Sequence, residues 1–174
     1  ACTQGEDFIV ECSQDTHLSL ALLEDYPCCT SDNCPNVAAA DDVGLNWRHI
    51  RDVVMVVKAL PSRVGTGPLP FELRPEEEDE LGIAEYEVTT GRRRRKASGI
   101  PWEHLEMSVM LNGPTQIALT FCDHLDGKVK GARKIGDLTS PVRKLIAEVE
   151  KRTQAPVTLV ETGKMFGDII QMNA

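Results

Sequence analysis

The sequence predicts an α/β fold, a mostly parallel sheet with flanking helices, in a chain of 174 residues that is long enough for one sizeable core. Three observations carry this reading. DVVMVVKAL (52–60) is almost continuously apolar, the pattern of a strand covered on both faces in a parallel sheet. TQIALTF (115–121) and APVTLVETG (155–163) repeat the short strand pattern, the second ending at Gly163. The stretches between them have helical spacing, as crossover connections require.

Taken in order, DFIVEC (7–12) reads as a strand and HLSLALLE (17–24) as a helix from the spacing of its leucines. SRVGTGPLP (62–70), with two glycines and two prolines, reads as a loop. PEEEDELG (75–82) is acidic and reads as a solvated helical turn or loop. IPWEHLEMSVMLNG (100–113) sets Trp102, Leu105, Val109 and Leu111 near helical spacing, and Gly113-Pro114 stops it. Ser140 serves as N-cap and Pro141 as first helical residue of VRKLIAEVEKRT. Ligands of such sheets gather at the carboxyl ends of strands, which directs attention to 11–16, 62–68, 121–127 and 161–164.

Lysine and arginine total 19 against 27 acidic residues, a net charge of −8, yet Arg92–Lys96 places five cations in a row. A protein that coats nucleic acid would carry a whole basic face. One cationic loop on an acidic chain suits a small anion instead. No apolar run reaches about 18 residues and no charged-then-apolar leader is visible, so neither a membrane span nor secretion is expected, and a cytoplasmic setting is. The six cysteines (Cys2, Cys12, Cys28, Cys29, Cys34, Cys122) are then expected to be reduced, and they lack the paired spacing of a zinc site.

The basic run belongs to VTTGRRRRK (88–96). Arginine offers a planar, permanently charged fork that matches carboxylate and phosphate oxygens. Thr89 and Thr90 add hydroxyls and amides, and Gly91 permits a turn in which N–H groups converge on an anion. Taken alone, the run also fits a nuclear-localisation or nucleic-acid patch. In LTFCDHLDG (119–127) a carboxylate, Asp123, follows a strand. It can accept guanine N1–H and N2–H₂ together, or simply form a turn.

In one order along the chain stand VECSQDTHLSL, DYPCCTSDN, SRVGTGPLPFEL, VTTGRRRR, NGPTQIALTFCDHLDG and VETG. That order resembles the adenylosuccinate synthetase family, with R-V-G-x-G-P and T-T-G-R-R-R-R as its specific pair. The resemblance implies a P-loop-NTPase-like fold whose N-terminal part is absent, residues 1–174 being the C-terminal portion of the domain. It implies a ligase of purine biosynthesis that joins L-aspartate to the 6-position of IMP, with GTP phosphorylating the 6-oxygen.

The same resemblance assigns residues. Val88, Thr89, Thr90, Gly91, Arg92, Arg93 and Arg94 form the substrate loop: Thr89, Thr90 and Gly91 on the aspartate carboxylates, Arg92 on aspartate and the purine nucleotide, Arg94 near the donor phosphates. Arg93 is counted with this loop but, like Arg95, is given no direct contact of its own. Gln14 would hydrogen-bond the purine nucleotide, Thr30 its phosphate, and Val64 and Gly65 would lie against it through backbone. Phe121, Cys122, Asp123, Glu161, Thr162 and Gly163 would surround the donor base. The phosphate loop, the catalytic aspartate and histidine, and the protein ligand to Mg²⁺ belong to the part not matched. No catalytic or metal residue is therefore expected here, the chain alone is expected to be inactive, and His17, His49, His104 and His124 are read as surface or packing residues. The family implies a homodimer.

Departures from the family pattern point to a second reading. Phe121 stands where lysine is usual, Glu161 where serine is, Lys164 where proline is, and Asp15 where glycine is. With the short stretch between 127 and 140, they resemble the compact archaeal and phage form, including synthases that make 2-aminoadenylosuccinate from dGMP with an ATP, dATP or GTP donor. A small nucleic-acid-binding module built on Arg92–Lys96 is the alternative from another class.

Overall fold

The computed structural model describes residues 7–22 and 25–172. The chain divides into two compact units, residues 1–51 and 52–174.

In the first unit, residues 7–12 are extended but pair with no strand among the described residues, and Phe8 and Ile9 are exposed. The strand expected there is absent because no neighbour satisfies its backbone. The expected helix over 17–24 reduces to a single 3-10 turn, Thr16–Leu18, capped by the Asp15 carboxylate on the His17 amide; Leu23 and Glu24 lie outside the described residues. A helix not foreseen, α1 (Asn36–Asp42), follows Pro35 and buries Ala40.

The second unit holds the sheet. Its strands are β1 (Val54–Lys58), β4 (Gln116–Thr120), β5 (Val157–Glu161) and β6 (Ile169–Gln171), adjacent in that order. β1, β4 and β5 run parallel, and β6 closes the far edge antiparallel to β5. Full two-faced burial falls on β4, where Ile117, Ala118 and Leu119 are all buried. β1 differs from expectation: Val54 and Val56 are exposed while Val57 is buried, because β1 is an edge strand of this sheet with one face uncovered.

Helices α3 (Trp102–Asn112) and α5 (Ser140–Thr153), with the single-turn α4 (Cys122–Leu125) between them in sequence, supply the expected layers, and Leu105, Val142, Ile146 and Val149 close the core over Ile117, Leu119 and Val160. Gly113 ends α3 in the left-handed conformation that glycine adopts without strain. The N-cap of α5 is Thr139, one residue earlier than expected, so Ser140 and Pro141 both lie inside the first turn. The acidic segment forms α2 (Pro75–Glu80), and it is not wholly solvated. Glu78 is 1% exposed and turns inward, where it accepts the Lys96 amide at 2.8 Å.

The loop expected over 62–70 starts with a strand. β2 (Ser62–Arg63) pairs antiparallel with β3 (Arg95–Lys96), so the two most specific sequence stretches are joined by backbone. Between them a hairpin runs out from Glu85 and returns at Arg94, the Arg94 amide bonding the Glu85 carbonyl and the Glu87 amide that of Arg92. Its tip is Val88–Gly91, with Gly91 at φ 66°.

Candidate functional site

The carboxyl ends of three parallel strands converge on one rim: Lys58 ends β1 opposite Thr120 of β4, Phe121 follows Thr120, and Glu161 ends β5. Above this rim lies a cavity of about 400 Å³ lined by Lys58, Glu85, Tyr86, Glu87, Val88, Arg94 and Phe121. It combines two aromatic rings with two cations and two carboxylates, and the carboxylates are engaged elsewhere, Glu85 with Lys96 and Glu87 with the Thr89 and Thr90 amides. That composition suits a ligand with a flat face and a negative end.

The hairpin sorts its cations by strand periodicity. Arg93 and Arg95 turn toward the protein. Arg93 donates to Glu78 at 2.9 Å, to Asp79 at 2.9 Å and to the Pro75 carbonyl at 2.8 Å. Arg95 holds Glu72 through Nε at 2.8 Å and aims its fork at the turn after β2, reaching the Gly65 and Gly67 carbonyls at 2.8 Å each. Arg92 and Arg94 lie on the other side of the ribbon, and their guanidinium groups make no hydrogen bond or ion pair among the described residues. Arg92 is exposed and Arg94 half-buried against the cavity. Arg93, counted with the substrate loop from sequence, is thereby a brace: its fork is consumed internally.

At the hairpin tip the Glu87 carboxylate accepts the amides of Thr89 and Thr90 at 2.9 and 2.6 Å. Bonding to the Thr90 side chain, with these two amides, draws its pKa down to about 2. The tip amides therefore already form a carboxylate seat. The turn at Val64 and Gly65 is held from two sides, since Arg63 bonds the Pro68 carbonyl at 2.8 Å and Arg95 bonds the glycine carbonyls. Gly65 at φ 86° and Gly67 at φ 106° sit where a side chain would be strained.

Under the cavity Lys96 is 1% exposed, with Nζ 2.6 Å from Glu85 and 3.3 Å from His124 Nδ1. Burial pushes Glu85 up, but Lys96 outweighs it and holds the carboxyl below its ordinary range. Burial first, and then Lys96, push His124 down, which favours the neutral ring. His124 thus packs, as its sequence reading had it. Lys58, Tyr86 and Glu85 were not singled out in sequence, and Lys96 only as the end of the basic run. Lys58 ends a strand, and that position could have found it.

Around the base region, Asp123 is half-buried and its carboxylate makes no hydrogen bond among the described residues. Cys122 and Thr162, expected beside a donor base, have wholly buried side chains. Burial, then Glu161 and Asp123, push the Cys122 thiol up to about 12. Thr162 donates to the Ala132 carbonyl at 2.7 Å. Both residues are 0% exposed, and the Thr162 amide and carbonyl are taken by Asp168 and Gly131, so neither presents a surface to a donor base in this structure. Gly163 packs against Asp168, where a Cβ would stand 2.8 Å from Oδ2. In the first unit, Gln14 adopts φ 74° and Thr30 donates its amide to the Leu18 carbonyl; neither lines that unit's small cleft around Cys12, Asp32 and Asp42. Among the described residues no three His, Cys, Asp or Glu side chains are placed to hold a metal. No helix there is long and apolar enough to cross a membrane.

The sequence profile of the adenylosuccinate synthetase family matches residues 1–130. The chain belongs to that family. Adenylosuccinate synthetase of Archaeoglobus fulgidus is 40% identical over 174 residues, 99% of this chain and 50% of its own length. That of Methanosphaera stadtmanae is 39% identical over 173 residues, with the same shares. The family member spans about half the length of these relatives. Its fold matches fully ligated adenylosuccinate synthetase of Plasmodium falciparum at a TM-score of 0.83 and 22% identity, over 94% of this chain and 49% of that one. It also matches the succinoaminodeoxyadenylate synthetase of cyanophage S-2L, solved with dGMP and dATP as energy donor, at 0.72 and 21%, over 94% and 45%.

Proposed function

We propose that this chain is the substrate-loop and base-binding portion of a purine-nucleotide ligase that joins L-aspartate to the 6-position of IMP with hydrolysis of GTP. The observation that carries the proposal is the division of the hairpin. The guanidinium groups of Arg92 and Arg94 make no hydrogen bond or ion pair among the described residues, Arg94 sensing only the nearby Glu85 charge, and they stand beside tip amides that already seat a carboxylate. Aspartate would displace Glu87 from Thr89 and Thr90. Arg92 would take aspartate and the purine nucleotide, and Arg94 the phosphoryl group in transfer. Fixed cations stabilise the charge that develops there without reorganising. Gln14 and Thr30 would hold IMP, and the turn at Val64 and Gly65 would lie along it. Asp123 would accept the guanine edge beside Gly163. Mg²⁺ would be held by residues other than those described here, and the assembled enzyme would be a homodimer.

The alternative substrate pair, dGMP with an ATP, dATP or GTP donor, is favoured by one observation: Phe121 replaces the lysine usual in the family and is bonded to Glu161, which replaces serine. The test is steady-state kinetics on the complete polypeptide carrying this chain, comparing IMP with dGMP and GTP with ATP and dATP. Arg92→Ala and Arg94→Ala should each reduce kcat/KM at least tenfold, as the loss of a charge-assisted hydrogen bond implies. Variants with wild-type kcat/KM would refute the assignment. Salt-sensitive DNA or RNA binding indifferent to nucleotide would support the nucleic-acid reading instead.

A further inference from the structure

Phe121 carries a backbone conformation that its side chain does not favour. It sits at φ 58°, ψ 35°, the left-handed region that an aromatic residue adopts only when its surroundings impose it. The constraint comes from 40 residues away, where Glu161 Oε2 accepts the Phe121 amide at 2.8 Å. β4 and β5 are parallel neighbours, so a carboxylate at the end of one reaches the first residue beyond the other. The Phe121 ring lines the cavity with Tyr86 and Arg94. Its centroid lies 5.2 Å from Lys58 Nζ and 5.7 Å from Lys96 Nζ, with the His124 ring 5.0 Å away at 55°.

We propose that Glu161 is a positioning residue for Phe121, and that the bonded pair forms an aromatic wall against which the donor nucleotide's base stacks. This deepens the ligase reading and rests on it. A ring offers its π-face to any purine, whereas selection of guanine requires an acceptor at the base edge. The wall therefore supplies donor affinity with little discrimination between guanine and adenine. Glu161 acts through the Phe121 amide, so an amide oxygen in its place would still serve, and a methyl would not.

The experiment uses the complete polypeptide. KM and kcat are measured for GTP and ATP in wild type, Phe121→Ala, Glu161→Ala and Glu161→Gln, and exchange of the Phe121 amide proton is followed by NMR. Glu161→Ala should raise KM for both donors about tenfold, the loss of one hydrogen bond to a charged acceptor. It should leave kcat and the acceptor KM within about twofold and speed Phe121 amide exchange. Glu161→Gln should recover most of the donor affinity, and Phe121→Ala should reproduce the Glu161→Ala kinetics.

Unaltered exchange or an unaltered donor KM in Glu161→Ala would overturn the proposal, as would a uniform loss for all substrates. A wild type that binds no purine nucleotide, with exchange still accelerated in Glu161→Ala, would sink the ligase reading and the stacking role together while leaving the amide contact intact.

Discussion

Lys96→Met removes the buried structural cation of the hairpin and leaves the proposed ligand-binding pair, Arg92 and Arg94, in place. The side chain is 1% exposed, and methionine keeps most of its apolar volume, so no large cavity opens. What disappears is the ammonium 2.6 Å from Glu85 and 3.3 Å from His124. Breaking a buried pair from one side costs about 3–5 kcal/mol. Glu85 retains 36% exposure, so water and the nearby Arg94 offset part of this, and the expected loss is about 2–3 kcal/mol. That is roughly a 30- to 150-fold fall in the folding equilibrium, read as a shift in urea midpoint at constant slope. His124 supplies a second readout. Its pKa lies below the ordinary 6.5, by burial and then by Lys96, so between those two values the unfolded chain binds a proton that the folded one refuses. Stability therefore falls as pH drops below 6.5. Lys96→Met should raise the His124 pKa toward 6.5 in an NMR titration and flatten that fall. A loss under about 0.5 kcal/mol with an unmoved His124 would refute the reasoning.

Arg95→Lys should loosen the glycine turn, because a lysine cannot reach the Gly65 and Gly67 carbonyls and Glu72 at once; faster amide exchange over 64–68 with weaker purine monophosphate binding is expected by NMR. Gly163→Ala should cost about 1–3 kcal/mol by thermal melting, since its Cβ would meet Asp168 Oδ2 at 2.8 Å; an unchanged melting temperature would contradict the packing. Cys122, with its thiol pushed up to about 12 and no exposure, should resist iodoacetamide at pH 8 in the folded protein, while exposed Cys12 reacts; mass spectrometry reads both. The Glu87 seat at the hairpin tip should persist as pH falls and dissolve only as pH approaches 2, since a carboxyl with a depressed folded pKa contributes fully above its unfolded value and is lost through the folded one; the Thr89 and Thr90 amide shifts report this, and Glu87→Gln should abolish the transition.

Sheet and crossover helices were legible because each rests on local pattern: the apolar runs at 115–121 and 155–163, the stop at Gly113 and the start at Ser140. What stayed hidden depends on partners distant in sequence. Residues 7–12 have the composition of a strand but no ladder to join. Ser62–Arg63 looks like loop and becomes strand because Arg95–Lys96 lies alongside. Glu78 reads as one of several solvated acids, and its burial depends on Arg93 and the Lys96 amide. In the candidate site, the cationic hairpin proposed to bind anions stands out from charge and glycine alone. Lys58 and the Phe121–Glu161 bond emerge only when parallel strands bring their ends together.

The arginine run shows why charge counts mislead about function. Five successive cations suggest one anion-binding surface, but an extended ribbon points alternate side chains in opposite directions. One side meets Glu72, Glu78 and Asp79, which neutralise Arg93 and Arg95 and convert them into braces for α2 and the glycine turn. Lys96 is buried against Glu85. Of the run, Arg92 and Arg94 alone keep side-chain donors unspent among the described residues, and they flank the tip amides that hold a carboxylate. The acidic surroundings therefore sharpen the charge pattern: they bind Arg93, Arg95 and Lys96 and leave two cations for the proposed ligand. Exchanging Arg93 for a neutral residue should damage folding, and exchanging Glu87 for one should free the tip amides for aspartate without that cost. A diffuse electrostatic patch would instead lose affinity in proportion to the positive charge removed, wherever it was removed.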